Sequence, residues 1–451
     1  MGKIIWIKSP LAILAQNAEN GIVVVGSKII ELVPKGAVPT SAYDEVYDAS
    51  ESVLLPGLIN THHHFYQTLT RAHPDALNKE LFPWLTSLYK VWTNLDEAMI
   101  YHSTKLALTE LLLSGCTTAS DHHYVFSKNL ENAIDIQVEV AQALGMRVVL
   151  TRGSMSLGQD DGGLPPQSVV QDEQSILDDS SRLIKAYHET HPGAMTQIAL
   201  APCSPFSVST ELMKESAKIA KEHDLCLHTH LAETIDEENF CLEKFGMRTV
   251  DYLDHVGWLH DKTWLAHGIH FNDEEIHRLG VAKVGIAHCP TSNMMLASGI
   301  CKTLDLEKAG AIIGIGVDGS ASNDGSNMIT EVRMAMYLQR LKYGSSKITH
   351  QKAFEWATKG SAQILRRDDI GEIAVGKEAD LAFFKLDELR FSGSHDPLAA
   401  LLLCGATKAD RVMIAGKWKV IDGKVLEMDI GQMMAQHTAQ SKRLYNAALN
   451  N

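Results

Sequence analysis

Eight short apolar runs, separated by stretches with helical periodicity, constrain this chain more than any other feature of its sequence. They cover residues 53–59, 117–120, 147–151, 197–201, 226–230, 263–267, 284–288 and 312–317. Between them lie predicted helices such as 96–113, with Leu106, Leu108, Leu111 and Leu112, and 210–221, with Leu212, Met213 and Ile219. Strands that alternate with helices read as parallel βα units, because a parallel pair needs a long crossover connection. Eight such units predict an α/β fold, a (β/α)8 TIM-type barrel.

A chain of 451 residues has room for one barrel and a smaller unit. Residues 22–33 read as two short strands around Gly26-Ser27, and 413–425 repeats the theme around Gly416 and Gly423. These terminal segments are expected to pair. The predicted organisation is a β-sandwich from 1–56 and 371–430, a catalytic barrel at 57–370 whose last helix is 349–365, and a helical extension at 431–451.

Composition excludes several classes of function. Hydrophobic residues at 45% and charged residues at 21% describe a globular protein, and no apolar run is long enough to span a bilayer, so no membrane partner is expected. A net charge of -14 without a compensating Lys/Arg stripe argues against nucleic acid. The seven cysteines are odd in number and never form C-x-x-C, which suits reduced thiols. The start, Met1-Gly2-Lys3-Ile4-Ile5-Trp6, carries no apolar export signal. A cytoplasmic protein is expected.

The first run is followed by Asn60-Thr61-His62-His63-His64. With side chains alternating along an extended chain, His62 and His64 share one side and His63 faces the other. By itself, His-x-His fits an exposed polar cluster at least as well as a metal grip. The other runs change the balance. Asp121, His122, His123 and Tyr124 follow the second, His230 ends the fifth, His267 the sixth and His288 the seventh, while Asp318 follows the eighth. Carboxyl ends of barrel strands are where catalytic groups collect.

His62, His64, His230 and Asp318 offer three imidazoles and one carboxylate, a set suited to Zn2+ with room for water; Fe2+ also fits. His228 shares a strand face with His230, so periodicity does not separate them. Proximity to the barrel mouth and the spacing to Glu233 favour His230. Glu233 stands where a general acid/base could reach the metal-bound water, although an acid at a helix N-terminus is also favoured by the dipole.

In order along the chain, Pro56-Gly-Leu-Ile-Asn-Thr-His-His-His64, His230 to Glu233, Leu265-Ala-His267-Gly, His288-Cys-Pro-Thr-Ser-Asn293, Gly316-Val-Asp318-Gly and Gly376-Lys-Glu-Ala-Asp380-Leu resemble the motifs of the amidohydrolase superfamily. The likeness is to its cytosine and guanine deaminase-like branch and spans essentially the whole chain. It implies a metal-dependent aminohydrolase with Glu233, His267 and Asp318 as catalytic residues and a homo-oligomeric assembly. Two-metal members carry a carbamylated lysine after strand four; 195–205 contains no lysine, which implies one metal per chain. Pro202-Cys203 is followed by Ser-Pro-Phe, so the P-C-x-x-C signature of the other zinc deaminase architecture is absent.

The substrate implied is a small planar heterocycle. Gln67 resembles the glutamine that contacts the base in guanine deaminases, and its amide both donates and accepts. Leu81-Phe-Pro-Trp84-Leu and Trp92 resemble the aromatic loop that roofs the pocket of that branch. Where guanine deaminases have Arg-Phe, this chain has Cys203-Ser204-Pro205-Phe206, which counts against plain guanine. The Gly- and Pro-rich stretch from Arg152-Gly-Ser-Met-Ser156 to Pro166 resembles the subgroup acting on 8-oxoguanine and isoxanthopterin, close to triazine hydrolases. Ser156 and Cys203 are the candidate contacts there, with His267. The reaction expected is 8-oxoguanine to urate and ammonia. Pterin, guanine or s-triazine hydrolysis are the alternatives of the same fold, and a metal-free scaffold the alternative of another class.

Overall fold

The predicted runs become one sheet of eight parallel strands ordered as in the chain: β1 Leu58–Asn60, β2 Cys116–His123, β3 Arg147–Ser154, β4 Thr196–Pro202, β5 Leu227–Leu231, β6 Thr263–His267, β7 Gly285–His288 and β8 Ile312–Ile315. This is a computed structural model, and it describes residues 2–128 and 130–449. Covered by helices outside and packed inside, these strands are buried on both faces, which explains their unbroken apolar character.

The barrel closes where β8 meets the chain leaving β1. Thr61 N–H donates to Ile315 O at 3.0 Å, and Asp318 N–H donates to His62 O at 3.0 Å. Gly316 permits this closure, since a Cβ there would stand 2.6 Å from His62 Cβ. Two of the candidate ligands are therefore fastened to each other through the backbone.

The first predicted run is two strands, not one. Ser52–Pro56 belongs to a different sheet and pairs antiparallel with Leu381–Lys385, while Leu58–Asn60 enters the barrel. Gly57 is the joint: a Cβ there would lie 2.1 Å from Thr117 Oγ1, so only glycine lets the chain pass β2 this closely.

The terminal segments form two facing sheets. One orders Lys28–Leu32, Gly21–Val25, Ile4–Lys8 and Glu45–Asp48; the other has six strands, running from Lys424–Val425 through Lys417–Ile421, Arg411–Ile414, Leu381–Lys385 and Ser52–Pro56 to Ala12–Ile13. Ile7, Ile22, Val24 and Ile29 of the first sheet pack on Leu54, Phe383 and Met413 of the second. A buried ion pair bolts this sandwich to the barrel: Arg147, at the start of β3, donates from Nε to Asp380 Oδ2 at 2.9 Å. Asp380 Oδ1 also accepts Ala415 N–H at 2.7 Å, so the carboxylate is satisfied on both oxygens, as burial requires.

Helix Glu97–Leu113 starts after Asp96, whose side chain accepts Met99 N–H, an N-cap. The long helix Ile430–Leu449 packs on it and reaches the segment after the histidine triplet, where Ser441 Oγ donates to Leu69 O at 2.7 Å.

Candidate metal centre and active site

At the carboxyl end of the barrel the side chains of β1, β5, β6 and β8 converge. His62 Nε2 and His64 Nε2 lie 3.4 and 3.3 Å from Asp318 Oδ1, and His230 Nε2 lies 3.2 Å from His64 Nε2. Donors held about 2.1 Å from one ion at a tetrahedral angle stand about 3.4 Å apart, so these separations suit a shared ion.

The far nitrogens dictate the tautomers. His64 Nδ1 and His230 Nδ1 each face a carbonyl at 2.7 Å, those of His122 and Cys203. A carbonyl only accepts, so both Nδ1 atoms carry the proton and both Nε2 atoms present a lone pair. His62 reaches the same state through a relay. His228 Nδ1 donates to Trp264 O at 2.9 Å, so its Nε2 must accept from His62 Nδ1 at 2.8 Å. His62 Nε2 is then a buried lone pair without a hydrogen-bond partner, a costly arrangement that a metal ion would satisfy.

Donor atoms of His62, His122 and His230, and those of His62, His267 and Asp318, also fall within 4.8 Å of one another. Neither triad fits better than the four-residue set. His122 donates from Nε2 to Ala201 O at 2.8 Å and lies stacked on His230, away from the carboxylate. His267 Nε2 is 3.8 Å from Asp318 but 3.4 Å from Glu233, and its Nδ1 donates to Asn293 Oδ1 at 2.9 Å. It stands between the two carboxyls, closer to Glu233. His63 points away, with Nε2 2.8 Å from Ser326 Oγ, and His288 Nε2 accepts from Gln339 at 3.2 Å.

Electrostatics separate the two carboxyls. Burial drives the Glu233 carboxyl well above the usual range, and the nearby Asp318 charge adds to the rise. Burial acts on Asp318 in the same sense, and positive charge at the facing His62 and His64 positions would pull that group well below the usual range; with both imidazoles in the neutral, ligating tautomer, that pull falls to a bound cation. The two carboxyls are thus driven in opposite directions, the kind of division on which acid and base chemistry relies. Burial also lowers His62 and His230 well below their ordinary value, favouring the neutral, ligating form. Asp318, His267 and Ala232 all have positive φ, at 64°, 70° and 54°. Such backbone strain in non-glycine residues concentrates at functional sites.

Above this centre lies a small cavity walled by Leu81, Trp84, Leu85, Tyr89, Tyr124, Phe206 and Leu296, with Gln67, Cys203 and Ser322 as polar members. Four aromatic and three leucine walls with few polar atoms suit a planar ring, but the free space is about 30 Å3, so these walls must part to admit one. A wider surface cleft of about 720 Å3, between the helices Thr210–Glu222 and Thr249–His255, holds solvent-facing lysines and acids and none of the converging donors.

Two expected substrate contacts lie outside the cavity. Trp92 is fully buried behind Trp84, with ring centroids 5.6 Å apart, and its Nε1 donates to Thr70 Oγ1 at 3.3 Å. The supposed aromatic loop is in fact the helix Leu81–Trp92, whose face bearing Leu81, Trp84, Leu85 and Tyr89 meets the cavity and turns Trp92 away. Ser156 Oγ accepts Ser209 N–H at 3.0 Å, so it ties the loop after β3 to the N-cap of the helix Thr210–Glu222, which follows β4. Gln67 and Cys203 do line the cavity. Burial pushes the Cys203 thiol up to about 12, which makes it a poor nucleophile. The sequence reading missed Tyr89, Phe206 and Leu296; the 3–4 spacing of Leu81, Trp84, Leu85 and Tyr89 was a usable signal for the first.

A (β/α)8 barrel with a histidine–aspartate centre at its mouth and a paired acid and base defines a metal-dependent hydrolase, and the chain belongs to the amidohydrolase family, whose model matches residues 53–419. Among its relatives is the 8-oxoguanine deaminase of Pseudomonas aeruginosa strain PAO1, 62% identical over 97% of this chain and 98% of that protein. An isoxanthopterin deaminase from an unknown prokaryotic organism is 32% identical over 88% of this chain and 87% of its own length. The solved atrazine chlorohydrolase of Arthrobacter aurescens TC1, complexed with zinc, superposes with a TM-score of 0.90 at 28% identity, covering 97% of this chain and 99% of that one.

Proposed function

We propose that this amidohydrolase deaminates 8-oxoguanine hydrolytically, giving urate and ammonia, with one Zn2+ per chain held by His62, His64, His230 and Asp318. The chemistry rests on one observation: the buried Nε2 lone pairs of the three imidazoles converge with the Asp318 carboxylate, facing Glu233 and His267. The choice of substrate draws on the 62% identity to an 8-oxoguanine deaminase and on the polar atoms of Gln67, Tyr89 and Ser322 set among aromatic and leucine walls.

A divalent ion at these donors supplies Lewis acidity and brings the pKa of water towards neutrality. Asp318 accepts a proton from the attacking water, and His267 orients that water through Nε2. Glu233, protonated at the start, donates to the ring nitrogen next to the carbon bearing the amino group as the C–O bond forms. The proton on Asp318 then passes to the amino nitrogen, the C–N bond breaks and ammonia leaves. The hydroxyl proton left on that carbon returns to Glu233, so both carboxyls regain their starting state.

The aromatic and leucine walls of the cavity, with Gln67, Cys203 and Ser322 among them, suit a small planar heterocycle. Among the described residues no helix is long and apolar enough to cross a membrane, and the seven cysteines are free, which supports a cytoplasmic setting. The deciding experiment is ammonia release from purified protein with 8-oxoguanine, isoxanthopterin, guanine and s-triazines. Turnover of 8-oxoguanine with the highest kcat/KM is expected; a flat 8-oxoguanine trace beside active pterin or triazine turnover overturns the assignment.

A further inference from the structure

We infer that Glu237 is a positioning residue for Glu233, acting through the backbone; the inference rests on the reading of Glu233 as the proton donor. The chain leaves β5 at Leu231 and bends at Ala232, whose φ of 54° lies in the left-handed region that residues with a Cβ avoid. This bend is held from both sides. On one, the Ala232 carbonyl accepts the N–H groups of Ile269 and His270 at 2.9 and 3.0 Å. On the other, Ala232 N–H donates to Glu237 Oε1 and Glu233 N–H donates to Glu237 Oε2, each at 3.0 Å.

A carboxylate that takes one amide on each oxygen fixes two successive peptide units relative to each other, here Leu231–Ala232 and Ala232–Glu233, on either side of the bend. The second of these leads directly into Glu233, whose carboxyl lies 3.4 Å from His267 Nε2. Helix capping alone does not call for this geometry. Helix Ile235–Phe245 follows Thr234, which makes no side-chain cap bond, and an acid at the third helical position ordinarily reaches back to the N-cap amide. Glu237 instead passes Thr234 and engages the two residues before it.

Keeping an acid here is unfavourable for stability. Glu237 is fully buried, and burial, with the neighbouring Glu233 adding to it against the two amide bonds, pushes its carboxyl up to about 7. An apolar side chain would avoid that cost. The benefit lies in catalysis, where displacing a reacting group by about 1 Å costs on the order of a hundredfold in rate.

Glu237→Gln keeps the shape but leaves a single acceptor oxygen for the two amides. In the zinc-loaded enzyme we expect kcat for ammonia release to fall about tenfold to a hundredfold, with KM, bound zinc and melting temperature close to wild type. In a Glu233→Gln background, adding Glu237→Gln should bring no further loss, because the group it positions is already gone. Wild-type kcat in Glu237→Gln, or a full extra loss in the Glu233→Gln background, overturns the inference. Where Glu237→Gln does not fold, Glu237→Asp, which keeps both oxygens but shortens the reach, is held to the same two criteria. A fully active Glu233→Gln enzyme would instead remove the reading of Glu233 on which the inference rests.

Discussion

His62 Nδ1 stands 2.8 Å from His228 Nε2, and this contact separates the two histidines of β5. His230 turns its Nε2 to the centre, while His228 lies behind His62 and sets its tautomer through Trp264 O. Substituting His228 by Phe breaks the relay without removing a ligand. Metal affinity should drop by about ten- to a hundredfold, read by competition with a chromophoric chelator. His230→Ala should lose stoichiometric metal altogether. His63→Asn should retain it, since His63 bonds Ser326 on the opposite side.

Glu233→Gln should bind metal normally and lose about 10²- to 10⁴-fold in kcat. The sign of the pH effect follows from the raised pKa of Glu233. The protonated acid is the active form, so kcat should decline as pH rises through that value. A kcat–pH profile in wild type and variant tests both statements, because the variant should lack that decline.

Tyr89 Oη and Gln67 Oε1 are buried at the cavity without protein partners. A substrate that satisfies them gains about 1–3 kcal/mol per contact. Tyr89→Phe should therefore lower kcat/KM for 8-oxoguanine by about tenfold, whereas Trp92→Phe, behind the wall, should leave it within about twofold of wild type on the same energy scale. Steady-state kinetics decide between them.

Removing the metal with a chelator should abolish ammonia release, and adding Zn2+ should restore it. Metal analysis of the restored protein should find about one equivalent per chain, the stoichiometry of a single closed donor set. A second tightly held equivalent would contradict the one-metal reading.

Burial lowers His123 and His288 to about 3, far beneath an unfolded histidine. As pH falls below about 6.5, the unfolded chain takes up protons that the folded chain refuses. Stability present above that pH is lost on the way down to about 3. His123→Phe should make the decline in melting temperature between about pH 6.5 and 4.5 shallower, measured by calorimetry on metal-free protein.

Much of the architecture was legible because barrel strands, buried on both faces, advertise themselves as apolar runs. The break at Gly57 was not, since nothing local distinguishes a strand that changes sheets from one that continues; the crowding against Thr117 does. Trp92 was misplaced for a similar reason. Reading 81–92 as a loop hid the helical phase that turns Trp84 and Tyr89 to the cavity and Trp92 away. Ser156 looked like a contact because its loop is near the mouth, and its hydroxyl is spent on Ser209.

By itself the sequence determined which groups stand at the strand ends, because period-two alternation and the order of βα units are local and additive properties. That was enough to bring His62, His64, His230, Glu233, His267 and Asp318 together on one rim. Tertiary structure alone decided how they meet there: that His228 contacts His62, that the Cys203 carbonyl accepts from His230, and that the carboxyls of Glu233 and Asp318 are driven in opposite directions. Tautomers and pKa values depend on which atoms meet across strands and on how completely water is excluded, and those quantities exist only once the barrel has closed.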